Sequence, residues 1–263
     1  MAERPKSVDE YKRWLRDEHN ATLKRAESHY DSVVRKIHAD VLASDAWTAL
    51  NDNLVTMNQR YLVKTGYPLF VTQNGLRLYR KSFDSFLVKT FRKNVLNNAE
   101  WPDPPPNGWL LPENWFTRIN DIVRTLLVVK YLDGVTFAAA EIVQLFESNQ
   151  RDCEAHFEAR TEGYYAAHLY ASFPVTIPRV DWDTQGVIVP LELQITTQVQ
   201  EVIRRLLHAY YEERRVTITS EESESWQWDY KSPEFSANYL GHVLHYVEGM
   251  IVEIRDRQEP QIR

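Results

Sequence analysis

The 263 residues predict an α+β protein, one mixed β-sheet with helices flanking it at both ends of the chain. Three observations carry this. Apolar residues recur at three- and four-residue spacing near both termini, the mark of amphipathic helices. The middle of the chain alternates strand-like and helix-like stretches. One segment, GVIVPLELQITT at 186–197, alternates apolar and polar side chains as a half-buried strand must.

In chain order, Val8 to Leu42 reads as one helix, opened by a capping box of Ser7 and Glu10. A second helix is predicted from Asp45 to Val63. Val71 to Tyr79 reads as a short strand or hairpin turning at Asn74-Gly75. Ser82 to Leu96 reads as a helix with Lys89, Arg92 and Lys93 near one face. The proline-rich stretch Glu100 to Trp115 is a loop. Ile119 to Leu132 is dense in Val, Ile and Leu, as a buried central strand would be. Asp133-Gly134 then turns into a helix from Thr136 to Glu147. Tyr164 to Ile177 and Gly186 to Thr197 are strands joined by PRVDWDTQG. A helix from Thr197 to Arg214, an acidic loop from Thr219 to Trp228 and a last helix from Glu234 to Arg255 complete the chain. The domain expectation is a helical region at 1–60, a sheet-bearing domain at 61–215, and an acidic loop and helix at 216–263 packed on that domain.

Composition excludes several classes. An apolar fraction of 43% with only eight glycines excludes disordered and fibrous chains. A net charge of −6 argues against sequence-independent duplex DNA binding, which needs a broad basic face. The single Cys153 excludes an internal disulfide or a CxxC knuckle and fits a reducing compartment. The best apolar run, Ile122 to Leu132, is broken by Arg124 and Lys130 and is shorter than the roughly 20 residues of a membrane span. A soluble, cytoplasmic protein is expected. GxxxxGK[ST], GxGxxG, HExxH and GxSxG are all missing. His242, His245 and Glu248 fall at helical spacing in GHVLHYVEG, and packed or solvent-facing helix residues explain them better than a metal site.

The chemistry concentrates in three places. In GVIVPLELQITT, Val187, Val189, Leu191, Leu193 and Ile195 form one apolar face, and Glu192 and Gln194 project together from the other. A carboxylate on a central strand needs a partner, structural or functional. Asp121 stands at the mouth of the most hydrophobic strand, where acidic side chains commonly hold Mg²⁺ against phosphate oxygens. In EGYYAAHLYASF, Tyr164 and His168 lie near one edge; a tyrosine ring can stack on a base, worth about 1–3 kcal/mol.

These segments resemble the synthetase domain of the RelA/SpoT family, which makes the alarmones (p)ppGpp on a nucleotidyltransferase-like fold. ELQITT at 192–197 is similar to the family's ExQIRT, GYYAAH at 163–168 to its GYxSxH, and KSFDSFLVK at 81–89 to its KSxxSxxxK. Asp121 resembles its magnesium aspartate, and the four occur in the family's order. The resemblance covers roughly residues 60 to 215, with helical flanks like those of small alarmone synthetases.

The resemblance implies transfer of the β,γ-pyrophosphate of ATP to a ribose 3′-hydroxyl. Asp121 and Glu192 would be the catalytic pair and hold Mg²⁺, with Glu192 also helping to deprotonate the acceptor. Arg77, Arg80, Lys81, Ser85 and Lys89 would bind ATP, an arginine covering the adenine. Tyr164, His168 and Gln194 would bind the acceptor, which is GDP, GTP or an adenine nucleotide. The alternatives are a toxin acting on the tRNA 3′ end, with an antitoxin protein as partner, and a catalytically silent binding protein of the same fold. Departures fall on the acceptor side: Arg124 replaces a glycine, Leu126 and Thr196 replace arginines, and Ala166 replaces a serine.

Overall fold

The computed structural model describes residues 3–71, 75–178, 183–214 and 226–258, with the side chains of 207–214 outside that description. Asn74 of the expected Asn74-Gly75 turn, residues 179–182 of the strand connection PRVDWDTQG and most of the acidic loop lie outside the described residues.

The helix expected over Val8 to Leu42 is two: α1 (Val8–His19) and α2 (Leu23–Leu42). Ser7 caps α1 by accepting from the Glu10 amide, and Asn20 ends it in the left-handed region at φ 52°. Asn is one of the few residues that adopts this conformation readily. The apolar rhythm nevertheless continues through Ala21 to Ala26, both buried, which hides the break in the sequence. α3 (Asp45–Thr65) starts at a Ser44 cap and ends at Gly66, φ 74°.

Of the short strand or hairpin expected over Val71 to Tyr79, the described residues are in a strand only at its end. Phe70 makes an isolated bridge to Val129, and β1 is only Tyr79–Arg80. α4 (Phe83–Phe91) runs directly into a π-turn over Arg92–Leu96. A short α5 (Trp115–Arg118) follows the proline-rich loop. β2 is Val123–Val129, and α6 (Leu132–Ser148) begins one turn earlier than its expected start at Thr136. β3 (Cys153–Ala159) was not anticipated. β4 (Tyr165–Pro178), β5 (Thr184–Thr197), α7 (Gln198–Arg214) and α8 (Pro233–Gln258) complete the order.

The sheet order is β1-β2-β5-β4-β3. β2 runs parallel to β5 and every other pairing is antiparallel, so the sheet is mixed. In β5 the odd residues Val187, Val189, Leu191, Leu193 and Ile195 are all buried, as the alternation predicts. Each such aliphatic side chain removed from water contributes about 1.5–3 kcal/mol. α6 covers this odd face: Phe146 meets Phe173 edge-on, and Gly134 approaches Val129 and Leu69. The core formed there is continuous with buried residues of α1, α2 and α3. Register puts Arg124, Glu192 and Tyr170 in one row on the opposite, even face, and Leu126, Gln194, His168 and His156 in the next.

Candidate active site

Asp121 occupies the turn just before β2 and is only 9% exposed. The segment leading into α4 is tied to it: the Lys81 amide donates to Ile122 O at 2.9 Å, and Tyr30 OH donates to Lys81 O at 3.0 Å. The side chain of Lys81 therefore turns inward, its Nζ 2.9 Å from Asp121 Oδ2. Two turns further on, Lys89 brings its Nζ to 2.8 Å from Oδ1. Oδ1 is buried, and Lys89 is its ionic partner. Burial pushes the Asp121 carboxyl up, but Lys81 and Lys89 outweigh it and hold it below the ordinary 3.8. Burial draws the Lys81 ammonium below its usual range against the pull of Asp121. Lys93 is lowered as well, first by burial and then by Lys89.

Ser82 caps α4, accepting from the Ser85 amide, and its hydroxyl donates to Ser85 Oγ at 3.0 Å. The exposed Ser85 thus stands in the first turn of a helix, where free amides and the helix dipole favour an anion.

Glu192 lies mid-strand on the even face, with Arg124 of β2 and Tyr170 of β4 directly across from it. Its Oε1 is 2.8 Å from His168 Nδ1, and His168 Nε2 is 3.0 Å from Tyr164 OH. Gln194 donates to the same phenol oxygen. One assignment satisfies every group: Gln194 donates to Tyr164, Tyr164 to His168 Nε2, and His168 Nδ1–H to Glu192. The chain of donors points at the carboxylate.

Both carboxylates act on one further side chain. The Tyr170 phenol is pushed up to about 12, first by burial and then by the fields of Glu192, Glu158 and Asp121. Asp121 enters β2 from the turn before it, and Glu192 stands on the parallel neighbour β5, one residue along from Leu191, which pairs with Val123. Lys81, Ser85 and Lys89 gather on the Asp121 side, and Tyr164, His168 and Gln194 on the Glu192 side. Arg80 pairs in register with Val123 rather than with the Glu192 row, and Arg77 is exposed just ahead of β1.

Other charged residues enter the site without having been anticipated. Arg124, met in the sequence as a break in an apolar run and a departure from a motif, shares a row with Glu192. Glu158 of β3 comes within 3.8 Å of His168 Nε2 and pairs with Arg160 at 2.8 Å. Arg160 lies over the Tyr164 ring, 5.3 Å from its centre. The alternation Glu154, His156, Glu158 was the available signal for β3. Only two of its seven residues, Cys153 and Phe157, are strongly apolar, which disguised it.

Among the described residues no group of three or more His, Cys, Asp or Glu side chains closes round a metal. A magnesium site completed by substrate phosphates needs only one or two carboxylates, since this hard cation keeps oxygen ligands and several waters. The carboxylates of Asp121 and of Glu192 on β5 are donors of the kind that site needs. His242 and His245 are committed elsewhere: His242 bonds Tyr165 OH and Thr161 O, each at 2.8 Å, and His245 stacks on Tyr165. No helix among the described residues is long and apolar enough to cross a membrane.

Fold and site define an α+β protein with a mixed sheet, carrying one carboxylate in the turn that enters β2, a second on the neighbouring parallel strand β5, and a lysine-bearing helix start beside the first. No family model matches the chain, and no curated protein matches it. Solved structures similar to it include small alarmone synthetase 1 from Bacillus subtilis, at 14% identity and a TM-score of 0.49 over 95% of this chain and 97% of that one. The same synthetase bound to its product pppGpp matches at 14% identity and 0.49, over 96% and 100%. Small alarmone synthetase 2 from Bacillus subtilis matches at 15% identity and 0.46, over 81% and 96%. The side chains, rather than these likenesses, carry the functional reading.

Proposed function

We propose that this chain is an ATP-dependent pyrophosphotransferase of the RelA/SpoT-like kind, moving the β,γ-pyrophosphate of ATP to the 3′-hydroxyl of a nucleotide. The observation that carries the reading is the buried Asp121 held between Lys81 and Lys89, with Glu192 on the next strand. Residues 61–215 are the catalytic unit in this reading, working in the cytoplasm.

Asp121 and Glu192 would be the side chains that hold Mg²⁺, which would supply neutralisation of the phosphate charge. Lys81 and Lys89 exchange the aspartate for phosphate oxygens, and Ser85 and the α4 amides receive a further oxygen. An arginine from 77 or 80 covers the adenine. Tyr164 packs against the acceptor base, the ring face under Arg160 being already in use. Glu192 accepts the proton of the attacking hydroxyl as that hydroxyl's oxygen bonds to the β-phosphorus of ATP, and the bond from that phosphorus to the α-phosphate oxygen breaks, releasing AMP. His168 and Gln194 hold that carboxylate and the phenol in place. Transfer then depends on alignment and charge rather than on covalent chemistry.

The acceptor is GDP, GTP or an adenine nucleotide. A second reading, a toxin acting on the tRNA 3′ end under an antitoxin's control, draws on one feature. A cleft of about 460 Å³ lined by Thr161, Trp226, Trp228 and Tyr239 adjoins the Tyr164 loop and offers aromatic faces for further bases. Incubation with γ-labelled ATP, Mg²⁺ and either nucleotides or deacylated tRNA separates the two readings. Label must appear in one acceptor and vanish with Glu192→Gln. No transfer to any of them would refute the proposal.

A further inference from the structure

Two adjacent tyrosines follow the turn between β3 and β4, and they bond to different partners. Tyr164 OH meets His168 and Gln194 on the even face of the sheet. Tyr165 OH meets α8 instead, 2.8 Å from His242 Nδ1. Successive side chains of an extended chain point to opposite sides, so one ring enters the site and the next leaves it. The other ring nitrogen of His242 lies 2.8 Å from Thr161 O, earlier in the same turn. A carbonyl only accepts, so Nε2–H donates there, and in the neutral ring Nδ1 accepts from Tyr165 OH. A single imidazole thus spans the turn from Thr161 to Tyr165. His245, one helical turn along, lies flat on the Tyr165 ring, with 3.6 Å between centres and 1° between planes.

We propose that His242 is a positioning residue for the acceptor: it touches no substrate, but it holds the 161–165 turn on α8 and so fixes where the Tyr164 ring stands. This role rests on the proposed function, in which that ring packs against the acceptor base. Gln194 and His168 anchor the phenol end of Tyr164, while its backbone end belongs to the turn. Gly163, at φ 73°, sits in that turn, and glycine resists backbone movement least, so fixation from outside matters there. Arg160 already lies over the Tyr164 ring, 5.3 Å from its centre, which leaves the acceptor one face. A misplacement of about 1 Å can cost on the order of 100-fold in rate. The ATP side does not share the brace, because Lys81, Ser85 and Lys89 are carried by α4 and the residues leading into it.

Initial rates with ATP and acceptor varied separately test this in wild type, His242→Ala, His242→Gln and Tyr165→Phe, each checked by far-UV circular dichroism for native helix content. The expected result for His242→Ala is an acceptor KM raised about 10-fold or more, with the KM for ATP unchanged. His242→Gln restores a donor to Thr161 O and should recover much of the loss. Tyr165→Phe removes the other bond, keeps the stack on His245 and should fall between. Amide hydrogen exchange over 161–165 should quicken in His242→Ala. A wild type that transfers pyrophosphate to no acceptor would refute the proposed function, and this role with it. An active wild type whose folded His242→Ala keeps its acceptor KM, raises both KM values alike or exchanges no faster would overturn the role of His242 alone. Should His242→Ala lose helix content, an unchanged acceptor KM in Tyr165→Phe overturns it equally.

Discussion

Gly163 and Gly241 meet backbone to backbone. A Cβ built on Gly163 would lie 2.3 Å from Asn238 O, and one built on Gly241 would lie 2.3 Å from Gly163 O. This contact fastens the loop before Tyr164 to α8, and Gly163 adds a φ of +73°. Gly163→Ala is therefore expected to lose roughly 2 kcal/mol or more, since a strained left-handed position alone costs about 1–3 kcal/mol. Thermal unfolding measures this, and an unchanged Tm would contradict the contact.

Asp121 carries a stability consequence separate from catalysis. Its carboxyl is held below 3.8, so the stabilisation is fully present above that value and is lost as pH falls through the lowered one. Asp121→Asn is expected to cost about 3 kcal/mol at pH 7, where breaking a buried pair leaves charge uncompensated. The gap between variant and wild type should narrow toward pH 2. Denaturant titrations across that range check both the size and the slope.

Glu248 runs the other way. Burial pushes its carboxyl up, against the opposing effects of Thr197 and Gln200. A raised acid is penalised once ionised, so its presence is neutral below about 4.5 and destabilising above its raised value. Glu248→Gln should raise the Tm at pH 8 and leave it unchanged at pH 4. Equal effects at both pH values would rule out this account.

His168 orients Glu192 through Nδ1, and asparagine can reproduce that one donor. His168→Ala is expected to lower pyrophosphate transfer by about 10–100-fold, the usual range for removing a group that positions a ligand. His168→Asn should recover much of the loss. The two rates, measured at saturating ATP, decide whether the imidazole positions the carboxylate or does more.

Much of the sheet could be read beforehand because period-two burial is local: every odd residue from Val187 to Ile195 is where alternation puts it. Asn20 could not, since only its backbone conformation ends α1 while the apolar rhythm runs on. β3 was hidden because an edge strand needs few apolar residues, and β1 because two residues carry no period. At the site, the motif residues could be picked out one by one. Their partners could not: the Lys81–Asp121 pair spans 40 residues, and Glu158 reaches His168 only because β3 lies beside β4.

The two ammonium groups on Asp121 have a consequence for the order of events. A carboxylate already neutralised on both oxygens competes weakly for a lone divalent cation, so the free protein is a poor chelator. Under the proposed function, a triphosphate would draw both lysines toward itself and free the Asp121 oxygens for its counter-ion, so nucleotide and metal would enter as one unit.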